Sequence, residues 1–236
     1  MTSTRGLRRF AAPSPAGAGS GSGSAPEPER CGLCGVALAA GPGAAGGHAH
    51  LVDVEHRSLV CACTACALLF THSGAAGGRY RTVPDRVLRD QSAPLTEAEW
   101  AQLGIPVAIA FFFLNSALGR IVASYPSPAG VTECELDLAA WDQVGAAHPL
   151  LRALAPDTEA ILVVARGQLG TGDGQGIETL LIPIDACYEL AGKLRLNWRG
   201  FDGGAEVRHI LATFLANLRR RARQLESAPT LPTREG

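Results

Sequence analysis

Two pairs of thiols stand at metal-ligand spacing near the N-terminus. Cys31-Gly-Leu-Cys34 and Cys63-Thr-Ala-Cys66 share the C-x-x-C pattern, with 28 residues between the pairs. Each short turn sets the bite of one half-site. The intervening segment has only to fold back for four sulfurs to reach one tetrahedral ion. Four thiolates leave no coordination position for a substrate, so the chemistry expected is structural zinc rather than catalysis. Iron is the competing ion, because a rubredoxin-type site uses the same ligands and Cys34-Gly35 offers the glycine that an amide-to-sulfur turn favours. Against iron, Cys66 is followed by Ala67, and aromatic residues are scarce nearby.

Three further residues compete for the same role. Cys61 lies one strand-period before Cys63, so strand alternation puts both on one face. Cys61, His48 or His50 is therefore the alternative to one of the four sulfurs. Together these three also make a candidate set for a second, transient ion such as nickel; the plainer expectation for the two histidines is a solvated loop. No catalytic residues are assigned, since no nucleophile is paired with a base. The run Gly170–Gly176 resembles a phosphate loop but lacks the Lys-Ser/Thr ending and precedes a strand, so no helix N-terminus awaits an anion. Cys134 and Cys187 read as small buried hydrophobes. Asp185 reads as a helix cap.

The elements that must position these residues follow from pattern. Residues 1–29 are rich in Gly, Ser, Ala and Pro, a composition expected to stay disordered. Residues 30–72 form the metal module: a knuckle, strands over His50–Glu55 and Ser58–Cys61, then the second knuckle, with Leu68, Leu69 and Phe70 expected to close a small core. This describes a zinc ribbon. Residues 73–90 are expected as a linker bearing Arg79, Arg81, Arg86 and Arg89. Residues 91–226 form an α+β domain, and 227–236 a disordered tail. In that domain Thr96-Glu-Ala-Glu99 is a capping box, with Trp100 and Leu103 facing inward. Strands are expected over Val107–Leu114, Ile121–Tyr125, Ile161–Ala165 and Thr179–Ile184, with Tyr125–Gly130 as a turn. Helices are expected from Asp137 to before Pro149, from Asp185 to about Trp198, and from about Ala205 to Leu225. The fold class is thus α+β: a zinc-ribbon-like module, a mostly antiparallel sheet with helices, and a long C-terminal helix.

Bulk properties exclude some functions. The 21 basic and 22 acidic residues nearly cancel, leaving no global pull toward nucleic acid or anionic lipid. Arg219, Arg220, Arg221 and Arg223 complement a helix macrodipole and make nucleic acid only a minor possibility. Phe111-Phe-Phe113 must be covered on both faces of a sheet or meet a partner. No apolar run approaches the ~18 residues of a membrane span. Arg8-Arg9 is followed by Pro13 and Pro15 where an exported chain needs an apolar stretch. The expected location is therefore the reducing cytoplasm.

Beyond these readings, the chain resembles an uncharacterised actinobacterial family found in gene clusters of high-affinity, oxygen-tolerant nickel–iron (NiFe) hydrogenases. The likeness covers most of residues 30–222. It rests on Cys31-Gly-Leu-Cys34-Gly35, His50-Leu51, Cys61-Ala-Cys63-Thr-Ala-Cys66-Ala-Leu-Leu-Phe70, Gly78-Arg-Tyr80-Arg81, Ala110-Phe-Phe-Phe113, Tyr125-Pro-Ser-Pro128, Pro183-Ile-Asp185 with Cys187-Tyr188, and Trp198-Arg-Gly200 with Gly203-Gly204. The glycine-rich loop at 167–176 is longer than the family's turn. The resemblance implies a hydrogenase context and no assigned activity. The expected function is a non-enzymatic accessory protein that binds a hydrogenase subunit or maturation factor and carries a structural zinc. The alternatives are a rubredoxin-like electron carrier with iron and a zinc-ribbon nucleic-acid-binding regulator.

Overall fold

A computed structural model describes residues 28–38, 48–72, 74–169, 174–199 and 204–226. Most of the expected leader, the Gly41–Gly47 loop, part of the 167–176 loop and the expected tail lie outside these residues.

The chain first builds a small sheet. Strands β1 (Ala49–Asp53) and β2 (Ser58–Ala62) form an antiparallel hairpin in which His50 faces Cys61 and Leu51 faces Val60. Helix α1 (Thr64–Leu68) follows, and β3 (Tyr80–Thr82) returns to pair with β1, giving the order β2-β1-β3. The stretch expected as a linker therefore supplies the third strand of the small sheet and also β4 (Leu88–Arg89) of the large one. Two- and three-residue strands are too short to show an alternation in sequence.

The large sheet is assembled from α2 (Glu97–Gln102), β5 (Ile109–Asn115), β6 (Arg120–Ser127), β7 (Gly130–Cys134), α3 (Leu138–Ala147), α4 (Pro149–Arg152), β8 (Glu159–Ala165), α5 (Arg166–Leu169), β9 (Ile177–Pro183), α6 (Ile184–Asn197), α7 (Gly204–Arg221) and β10 (Arg223–Gln224). Its order is β10-β4-β9-β8-β5-β6-β7, and only the β10–β4 pair is parallel. The fold is α+β with mostly antiparallel sheets. The turn expected over Tyr125–Gly130 is narrower: β6 runs on to Ser127, and Pro128-Ala129 alone reverses the chain into β7.

Both faces of the large sheet are covered. Phe111 points with Ile109, Leu162 and Ile182 toward α6 and α7, where Val207, Leu211, Phe214, Leu215 and Leu218 repeat at the helical period. Phe112 points the other way, stacked on Trp141 with ring centroids 4.8 Å apart and edge-on to Trp100 at 6.2 Å. Two-sided burial thus accounts for Phe111 and Phe112, and each fully buried aromatic contributes roughly 1.5–3 kcal/mol. Thr96 and Glu99 form the capping box at the start of α2, and Asp137 caps α3 through the amides of Ala139 and Ala140. Helix α7 stops at Arg221, short of the expected Leu225, because Arg223 and Gln224 extend alongside β4.

The small sheet lies on the α6/α7 side of the large one. Val52 belongs to that core, with Val54 and Leu59 packed against it. Arginines from the expected linker make two ion pairs: Arg81 Nη1 donates to Asp157 Oδ2 at 2.8 Å beside the seam, and Arg86, next to β4, donates from Nη2 to Glu159 Oε2 at 2.8 Å within the body. The Glu159 side chain is fully buried, and its carboxylate oxygens are met by that guanidinium and by the Ala155 amide.

Candidate metal centre

The four predicted sulfurs converge. The Sγ atoms of Cys31, Cys34, Cys63 and Cys66 lie within 4.8 Å of one another, and those of Cys34 and Cys63 are 3.8 Å apart. A tetrahedron of Zn–S bonds of about 2.3 Å has edges of about 3.8 Å. A disulfide needs about 2.05 Å, and all seven cysteines are free thiols.

Local backbone explains the convergence. The first knuckle closes when the Gly35 amide donates to Cys31 O at 2.9 Å, with Gly35 at φ +75°, a left-handed conformation that glycine adopts without a Cβ penalty. The second knuckle is the first turn of α1, entered from an extended Cys63 whose carbonyl accepts from the Ala67 amide at 2.9 Å. The knuckles meet where the Gly32 amide donates to Cys61 O at 2.8 Å, and a Cβ at Gly32 would lie 2.6 Å from Val60 Cγ1. Cys31, Leu51, Ala62 and Ala67 bury together as the centre of the module. Phe70 closes it against Tyr80, with rings 5.3 Å apart, but Leu68 and Leu69 are exposed, contrary to expectation. They occupy the outer side of the α1 turn, whose inner side is given to Ala67.

The sulfurs are also electrically prepared. Burial pushes the Cys31 thiol up, yet the amides of Cys34, Cys63 and Leu33 overrule it and bring it down to about 6. Cys66 is pushed up to about 12 by its hydrogen bonds to the Cys63 and Cys34 sulfurs and by burial. The Cys31 thiolate is thus favoured, and Cys66 holds its proton. A bound divalent cation removes that obstacle, because a coordinated thiol ionises outright.

The alternative ligands do not join this cluster. His48, His50 and Cys61 form one of their own, with ligand atoms within 4.8 Å of one another. The strand alternation expected to unite Cys61 with Cys63 stops at Ala62, where β2 ends and Cys63 turns into α1. His48 and His50 are not in a solvated loop: His48 is 6% exposed, and His50 lies on β1 facing the body. Their Nε2 atoms are 3.2 Å apart. His50 Nδ1 donates to Asp185 Oδ2 at 2.7 Å, and the Cys61 thiol donates to Glu29 Oε1 at 3.1 Å. Burial and then Glu29 push the Cys61 thiol up to about 12. Asp185, expected as a cap, sits inside the first turn of α6; its Oδ1 accepts from the Ala186 amide while Oδ2 holds His50. Its sequence distance from His50 hid that role.

Other candidates are accounted for. Asp53, Glu55 and His56 form a third cluster, but the Arg79 guanidinium already donates to Asp53 Oδ2 at 2.9 Å. Burial raises that carboxyl, and Arg79 and His56 outweigh it, holding it at about 2. Cys187 is buried, and burial keeps its thiol protonated; Cys134 is half-buried. Arg219 pairs with Glu178 and Arg221 with Asp85, so these helix-end arginines face carboxylates. Among the described residues, no helix is long and apolar enough to cross a membrane.

No curated protein and no solved structure matches the chain. A match to a protein family covers residues 30–222, from the residue before the first knuckle to the end of α7 and the residue beyond. On that span, which is well over half its length, the chain belongs to the family of unknown function DUF5947.

Proposed function

We propose that this chain is a non-enzymatic accessory protein whose N-terminal module is a zinc ribbon. The observation that carries the reading is the meeting of four sulfurs from two distant turns at tetrahedral spacing. A closed shell of four thiolates gives the ion no position for substrate, so its work is to clasp the two knuckles. Leu68 and Leu69, 65% and 67% exposed on α1 beside the site, suit a protein partner. The resemblance to a family of hydrogenase gene clusters makes a NiFe-hydrogenase subunit or maturation factor, in the cytoplasm, the first partner to try. A rubredoxin-like electron carrier is the second reading, favoured by the amides that point at Cys31 Sγ and would serve iron equally.

Metal analysis with an absorption spectrum separates the two. A colourless protein with stoichiometric zinc is expected, whereas iron with a red chromophore would replace this reading with the second. Co-purification from cells that express the hydrogenase cluster tests the partner. Failure to retain any of its products, with Leu68→Ser/Leu69→Ser unchanged in all other bound proteins, would remove the partner assignment.

A further inference from the structure

The cluster at the seam between the small sheet and the body was not needed for the zinc ribbon. Its chemistry differs. We propose that His48, His50 and Cys61 form a second metal site, which takes an exchangeable divalent transition-metal ion of borderline softness with Glu29 as an added oxygen donor.

Strand register builds the site. His50 faces Cys61 across the β1–β2 ladder, and His48, two residues earlier, projects from the same face. The two Nε2 atoms stand 3.2 Å apart. Metal–nitrogen bonds of about 2.0–2.1 Å at tetrahedral angles put two nitrogens about 3.3 Å apart. Asp185 settles the tautomer of His50: a carboxylate 2.7 Å from Nδ1 accepts the ring N–H, leaving the Nε2 lone pair aimed into the cluster. Such a carboxylate behind a ligating imidazole fixes its orientation and raises its basicity. Glu29 closes the set, with Oε1 3.1 Å from Cys61 Sγ and Oε2 3.7 Å from His48 Nε2.

A hydrogen-bonded histidine pair in a protein interior would account for the contact between the rings. It does not call for a thiol and a carboxylate converging on the same point. Two imidazoles, a thiolate and a carboxylate suit zinc, nickel or cobalt, and suit calcium and magnesium poorly. The Glu29 side chain is 54% exposed, so solvent reaches the site from that side and gives an ion a way in and out. On loading, Cys61 releases its S–H proton to solvent, and His48 carries its N–H on Nδ1 so that both Nε2 lone pairs face the ion. Asp185 touches no ion and acts as a positioning residue.

The test uses the full chain and cobalt(II) as probe. Saturating cobalt is expected to load a four-thiolate ion with intense sulfur-to-metal absorption and a second ion with much weaker absorption of that kind. Cys61→Ser and His50→Gln should each remove the second ion and leave the first. Asp185→Asn, on a helix of the body, should weaken the second ion about 10–100-fold while leaving the first unchanged. Absence of the weaker-absorbing ion from the wild-type chain, or its survival in both Cys61→Ser and His50→Gln, overturns the site. Should those two variants not fold, unchanged affinity in Asp185→Asn overturns it instead. The intense band reports the zinc-ribbon reading separately, so either site can fail alone.

Discussion

The two sulfur clusters of the small sheet are neighbours in sequence and opposites in construction. Cys31, Cys34, Cys63 and Cys66 come from two local turns, and every ligand lies within the module that the ion would clasp. His48, His50 and Cys61 come from a ladder register, and their geometry is completed by Asp185, 135 residues away from His50 on the body. The first cluster is a property of a segment. The second has His50 oriented by a carboxylate only when the small sheet is seated on α6. A metal in the first would hold a piece of chain together, and a metal in the second would report, and reinforce, the docking of two parts.

The sharpest way to break this comparison is Cys34→Ser. Cys34 is exposed, so its loss removes little packing. What is removed is one of the four proposed ligands, and binding free energies on the order of 10 kcal/mol support small zinc modules. Amides of β1 and β2 should exchange quickly while those of β8 and α6 stay protected. Equal protection in both regions would mean that the sulfurs do not hold the module.

Next in size is a buried ion pair of the body. Arg86→Ala strands the buried Glu159 carboxylate, and breaking such a pair costs about 3–5 kcal/mol. Denaturant unfolding should register that loss in the body, with the four-thiolate ion retained at neutral pH. A loss of that ion in step with the body would show that the module is not locally held.

Acid provides a third test. The Asp53 carboxyl is held at about 2, below its ordinary 3.8. A depressed carboxyl contributes stability that is present above the ordinary value and is lost as pH falls through the folded one. About 2 kcal/mol should therefore disappear between about pH 4 and pH 2. Arg79→Ala should flatten that part of the stability–pH curve. The smallest effect is expected from Thr96→Ala, which removes the α2 cap on the far face of the large sheet and costs about 1 kcal/mol. Cobalt binding at both clusters should be unmoved, which makes this variant the control for the others.

What could be read from the chain alone follows the same division. The C-x-x-C pairs, the Thr96–Glu99 capping box and the long strands β5, β8 and β9 are local patterns, and their positions were legible. β3 and β4 were not, because three and two residues carry no period and their pairing energy comes from partners far along the chain. β7 was hidden behind Pro126 and Pro128, which resemble a turn although Pro126 lies within β6. The sulfur set of the first cluster needed only spacing. The separation of Cys61 from Cys63 needed the end of β2, and the role of Asp185 needed tertiary docking. The exposure of Leu68 and Leu69 followed from which side of one helical turn Ala67 claims.

The parallel pair β10–β4 has a practical side. The family match ends at residue 222, whereas the Arg223 amide donates to Val87 O and the Leu225 amide to Arg89 O. Trimming a recombinant chain to the family boundary would strip the outermost strand from the large sheet and bare the hydrogen-bonding rim of β4, an invitation to self-association. Any purification handle belongs beyond Leu225, behind a spacer.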